Sequence, residues 1–300
     1  MMLSFVVASA VCNNGSQVNL DFANLSLINV IILGIVQGIT ELLPISSTAH
    51  LRIVPALLGI PDPGAAFSAA MQLASLTAVL GYFWQDLKKL TGETIRAISG
   101  QDYQSSSLRL MLGLLLGTLP IAVAGLLLKP ILNSCDSPMR SLVVIGAASI
   151  IMSVLLAIAE KRGGRERTFD NLNLWDGIWV GIAQAFALIP GVSRSGSTLT
   201  SGLFLGMKRD TAARFSFLLG LPAVILAGAV ELHTLLKAGL SVGGWFTLLV
   251  GLISASISAF LAIWGLLRYL ETRSTWIFVF YRFAMGVFLI VGVMAGWLQN

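Results

Sequence analysis

Charge is what this chain has least of. Only 11% of its 300 residues are Asp, Glu, Lys or Arg, under half of the roughly 25% usual in soluble domains, so a soluble globular body is excluded. Histidine and cysteine are scarce too, with two of each. Cys12 and Cys135 are too few for a disulfide framework or a thiolate metal cluster, and they read as free buried thiols. No His or Cys spacing suits a metal. H-E-x-x-H and S-x-x-K are both missing, which disfavours an intramembrane hydrolase of protein or ester substrates. The N-terminus has no basic residue ahead of its short apolar run, so it makes a poor secretory signal and reads as an extension over residues 1–24.

What the chain has instead is hydrocarbon. With 56% apolar residues, the expected fold is an all-α polytopic membrane protein forming one membrane domain over 25–300. Six windows look like full spans, at about 66–86, 108–128, 140–159, 214–231, 245–267 and 283–299. The formal net charge of +5 is scattered in short loops between these windows. That pattern suits membrane topology and anionic lipid rather than nucleic acid.

Two further apolar stretches, about 25–60 and 175–207, are broken near the middle by Pro, Gly and a Ser/Thr cluster. Broken backbone at membrane depth is tolerated only where protein buries it or a wet cavity receives it, so both read as re-entrant helical hairpins. They also resemble each other. Gly34-Ile35-Val36-Gln37 matches Gly181-Ile182-Ala183-Gln184, and the same offset of 147 sets Ser46-Ser47-Thr48 against Ser193-Arg194-Ser195. Three spans follow each hairpin. An odd number inverts the second copy, so repeat one (about 25–160) and repeat two (about 175–300) form an inverted-topology repeat. Basic residues favour one face: fourteen fall in or next to the loops read around 87–108, 160–174, 208–214 and 268–282, against four elsewhere with Arg194 set aside. If the fourteen are cytoplasmic, both termini lie outside and the hairpin tips meet from opposite faces.

The tips carry the chemistry. The first reads QGITELLPISSTAH, Gln37 to His50. An ionisable residue at such depth costs roughly 2.5–3.5 kcal/mol on insertion scales and marks a functional site by default. Glu41 and Gln37, four apart on one helical face, could hold a divalent cation. Ser47 is a candidate nucleophile and His50, three residues on, a candidate acid or base; Ser46 and Thr48 add hydroxyls. The second tip, ALIPGVSRSGSTLTSG, sets Arg194 among Ser193, Ser195, Ser197, Thr198 and Thr200. That is a candidate phosphate cradle, since a guanidinium donates bidentate hydrogen bonds to phosphate and a Gly/Ser turn entering a helix adds backbone N–H groups. The alternative is that Arg194 only pairs with Glu41 while the small residues allow close packing. On the residues alone both readings stand.

QGITELLPISSTAH and PGVSRSGST resemble the two signature segments of the bacterial undecaprenyl-diphosphatase family, the bacitracin-resistance type of integral membrane phosphatase. The similarity runs from about Leu25 to the C-terminus. It implies hydrolysis of undecaprenyl diphosphate to undecaprenyl phosphate and inorganic phosphate, recycling the lipid carrier of cell-wall synthesis. It also implies a divalent cation, Mg2+ or Ca2+, and a site open to the outer face of the plasma membrane. Carried over by motif, the family's second acidic position falls on Glu41, its serine on Ser47, its histidine on His50 and its arginine on Arg194. Its first acidic position is Gln37 here, which puts a two-carboxylate metal site in question. The expected mechanism has Ser47 attack the terminal phosphorus or orient the attacking water, with His50 moving the proton. A transporter or flippase of anionic lipid is the competing class, because inverted repeats with broken helices are transporter architecture. A phosphohistidine route ranks behind both, since only His50 lies near the cluster.

Overall fold

The computed structural model describes residues 20–60, 63–132, 139 and 141–298; Cys12, Cys135 and most of the expected N-terminal extension lie outside them. Among the described residues no strand forms, and Arg167 with Met207 makes one isolated bridge. The first hairpin is α1 (Leu27–Leu42) and α2 (Ser47–Leu58), followed by α3 (Gly64–Tyr82), α4 (Trp84–Ser99), α5 (Ser106–Leu116), α6 (Leu119–Leu132) and α7 (Leu142–Arg162). The second hairpin is α8 (Leu174–Ala185) and α9 (Arg194–Phe204), followed by α10 (Arg209–Lys237), α11 (Val242–Thr272) and α12 (Trp276–Met294).

Local sequence sets these boundaries. Ser26, Ser141 and Ser241 each cap a helix by accepting a backbone N–H three residues on. Asn173 and Asp176 close a reciprocal capping box at the start of α8. Among the described residues, five helical stretches are long and apolar enough to cross a membrane: Ser106–Leu128, α7, α10, α11 and α12. A sixth arises if α3 and α4, bent by 73° at Phe83, count as one. At about 1.5 Å per residue, 16-residue α1 and 12-residue α8 reach only about 24 and 18 Å, short of a roughly 30 Å hydrocarbon core.

The two hairpins lean on their partners in the same way. α1 packs on α11, and α8 packs on α5 and α6. A Cβ on Gly34 would lie 2.7 Å from the Gly251 carbonyl oxygen, and one on its counterpart Gly181 would lie 2.0 Å from the Gly117 carbonyl oxygen. Close backbone approach through small residues replaces hydrophobic drive where lipid is the solvent.

Three expectations change. The stretch read as a loop at 87–108 is mostly helix α4, because Leu90, Thr94 and Ala97 supply a buried face at helical spacing. The last span begins at Trp276 rather than at 283, so Arg282 lies inside α12, 1% exposed, and not in a loop. Removing Arg282 from the fourteen basic residues leaves thirteen against four. Finally, Phe22 in the 3-10 turn Asp21–Asn24 is fully buried with its ring 5.4 Å from that of Phe67, so packing begins before residue 25.

Candidate active site

Each hairpin turns through a strained serine. Leu43 leaves α1 in extended backbone, the conformation favoured for a residue before proline. Ser46 then takes φ 72° before α2 starts. In the second hairpin Gly191 turns at φ 95° and Ser193 takes φ 69° as the cap of α9, its hydroxyl accepting from the Gly196 N–H at 3.2 Å. Positive φ on a non-glycine costs on the order of 1–3 kcal/mol and persists only where its surroundings impose it.

Arg282 is what imposes it. From the core of α12 it donates to the Pro44 carbonyl at 3.0 Å, to that of Gly191 at 2.8 Å and to that of Val192 at 2.9 Å. Pro44 and Gly191 are counterparts at the offset of 147, so one guanidinium pins both turns at matching positions. Ser195 adds a second tie, donating to the Leu43 carbonyl at 2.9 Å, with that of Glu41 at 3.2 Å.

Glu41 stands where the tips meet. Its Oε1 accepts from Arg194 at 3.0 Å. Its Oε2 accepts from the Ser47 hydroxyl at 2.6 Å and from the Gln37 amide at 3.1 Å. Arg194 also donates to the Gly220 carbonyl at 3.0 Å. The pairing of Arg194 with Glu41 weighed from the sequence is therefore formed. Losing one partner of such a buried pair commonly costs about 3–5 kcal/mol. Glu41, Arg194, Ser195, Ser75 and Ser216 line a crevice of about 10 Å³, space for about one water. Two buried oxygens at this centre, Gln37 Oε1 and Ser75 Oγ, have no partner among the described residues, and such orphans call for a ligand, water or ion.

The structure does not join Ser47 to His50. The Ser46 carbonyl can only accept, so its 2.7 Å contact puts the proton on His50 Nδ1. His50 Nε2 is left to accept from the Tyr281 hydroxyl at 2.5 Å, the two rings being parallel within 7°. Both ring nitrogens are thus engaged away from Ser47, whose proton points at Glu41. Of the other cradle candidates, Ser197 and Thr198 donate back to the Arg194 carbonyl at 3.0 and 2.7 Å, Thr200 donates to the Gly196 carbonyl, and Thr48 is exposed. Ser193 and Ser195 lie 3.2 Å apart, hydroxyl to hydroxyl.

Sequence reading missed Tyr281 and Arg282. The signal was present: Arg282 is a lone cation in the apolar run from Trp276, the same anomaly that marked Glu41.

Glu41 and Gln37 offer a cation only oxygens, and among the described residues no three His, Cys, Asp or Glu cluster. Such a donor set suits a hard divalent ion whose remaining ligands come from elsewhere.

A helical membrane protein with an acid, a hydroxyl and a guanidinium converging between two broken hairpins belongs to the intramembrane proteins that handle anionic groups. The profile of the family described as "Bacitracin resistance protein BacA" matches residues 30–288, and the chain belongs to that family. It is 57% identical over 262 residues to undecaprenyl-diphosphatase 2 of Mesorhizobium japonicum, covering 87% of this chain and 99% of the relative. It is 54% identical over 277 residues to the undecaprenyl-diphosphatase of Trichormus variabilis, covering 92% and 87%. With that of a Synechocystis species it shares 49% over 294 residues, covering 98% and 88%.

Proposed function

We propose that this chain hydrolyses undecaprenyl diphosphate to undecaprenyl phosphate and inorganic phosphate. The observation that carries the reading is the 2.6 Å hydrogen bond from Ser47 to Glu41, with Arg194 on the other carboxylate oxygen. Ser47 Oγ attacks the terminal phosphorus while its proton passes to Glu41 Oε2. The anhydride P–O bond breaks and undecaprenyl phosphate leaves. Water then hydrolyses the phosphoserine, releasing phosphate and restoring the serine hydroxyl. Arg194 trades its bond to Glu41 for the phosphate oxygens as Glu41 gains the proton, so no buried charge is left alone. Positioning and charge neutralisation supply most of the catalysis in phosphoryl transfer.

His50 plays a different part from the one first expected. Its Nδ1–H holds the Ser46 carbonyl and so fixes the turn that aims Ser47. Ser46, Thr48, Ser193, Ser195 and Ser197 border the phosphate site.

A divalent cation, Mg2+ or Ca2+, fits beside the orphaned Gln37 Oε1 and the Glu41 carboxylate. Bound there with the substrate, it would neutralise diphosphate charge that one guanidinium alone leaves exposed. The thirteen-to-four basic asymmetry supports a plasma-membrane orientation with both termini and the site on the outer side. We take residues 25–300 as a single domain of two inverted repeats, each with a re-entrant hairpin.

Purified protein in detergent, given undecaprenyl diphosphate, releases phosphate with added cation and ceases to do so with chelator. Folded protein that releases none would remove the enzyme reading and promote the transporter.

A further inference from the structure

Helix α4 takes no part in the site, yet its surface is divided too sharply to be a passive connector. It leaves α3 at 73°. Leu90, Thr94 and Ala97 form its buried face, and α4 packs on α5. Along the adjoining stripe Trp84, Ile95 and Ile98 are 64, 58 and 55% exposed. On a helix joined to membrane spans, such a stripe belongs in the boundary between headgroups and acyl chains. The next face carries Lys88, Lys89 and Arg96, all exposed.

That basic face is hollow. A shallow cavity of about 300 Å³ lies over Gln85, Lys88, Lys89, Gly92, Glu93 and Arg96. Gly92 makes it. Glycine is among the costliest residues in a helix interior, and a close neighbour is its usual justification. Here a Cβ would meet nothing within 4 Å. The vacant position lies four residues from Lys88 and four from Arg96, so a cation bounds the hollow one turn away on either side. Glu93 is already engaged, accepting from Ser107 at 2.5 Å and lying 3.9 Å from Lys89. Neither Lys88 nor Arg96 has an ion-pair partner among the described residues.

We propose that α4 is a lipid-binding helix that seats the phosphate of an anionic phospholipid over Gly92, between Lys88 and Arg96. The acyl chains of that lipid lie beside Trp84, Ile95 and Ile98. A phospholipid satisfies both neighbouring faces at once, whereas free phosphate satisfies only the basic one. Juxtamembrane cations of this kind attract anionic headgroups.

The test uses the full-length protein in mixed micelles of equal phosphatidylglycerol and phosphatidylcholine, with retained lipids counted by native mass spectrometry. The parent keeps phosphatidylglycerol in excess. The pair Lys88→Gln and Arg96→Gln lowers that excess about tenfold, and Gly92→Leu, which fills the hollow while keeping every charge, lowers it comparably. Unchanged rates of phosphate release from the prenyl diphosphate and a single monodisperse species show that the variants are folded. An excess that survives either variant overturns the proposal, because a general basic surface would not need the hollow. Displacement of the lipid by millimolar inorganic phosphate would equally overturn it.

Discussion

Ser46 and Ser193, 147 residues apart, hold the same positive-φ backbone, 72° and 69°, each at the residue that launches the second arm of its hairpin. Shared strain at matched positions makes the two turns one device, with Arg282 bonded to carbonyls in both.

Substitution by valine exposes that strain. A β-branched residue tolerates positive φ poorly, so Ser46→Val and Ser193→Val each destabilise the protein by about 2 kcal/mol. Ser193→Val suffers more, having also lost a helix cap worth about 1 kcal/mol. Thermal unfolding in detergent measures both.

Arg282→Met removes the donor to three buried carbonyls. Charged hydrogen bonds contribute about 1.5–3 kcal/mol each, so the loss of three costs upwards of about 4.5 kcal/mol, and phosphate release is lost with it. Arg282→Lys keeps part of the contact and falls between. An Arg282→Met protein with parental stability and rate would refute the clamp.

Arg194→Lys keeps the charge and discards the planar fork. Loss of a single donor aimed at developing charge commonly costs about 10²–10³ in rate. The kcat for phosphate release falls by that order while the protein stays folded, since an ammonium still neutralises Glu41.

Most of the fold was legible because membrane spans announce themselves by length and polarity, and the hairpins by Pro44, Pro190 and their serine clusters. The offset of 147 aligns Gln37 with Gln184 and Ser46 with Ser193 in the amino-acid sequence itself. Two things were hidden. Window-based reading treats a cation as a boundary, so Arg282 was assigned to a loop and the start of α12 was placed seven residues late. Side-chain geometry was the other. Ser47 and His50 are three apart in the chain, which suggested a pair, but only coordinates show the imidazole turned to Ser46 and Tyr281 and the hydroxyl turned to Glu41. Chain spacing gives proximity on a helix and not the direction of a proton.

The account turns on Glu41 taking the proton of Ser47. A double-mutant cycle of Ser47→Ala and Glu41→Gln, read as kcat for phosphate release from a prenyl diphosphate, tests this most directly. Groups acting as one unit are grossly non-additive, so the double variant is predicted to be little worse than either single one. Multiplicative losses for Ser47 with Glu41 would contradict it.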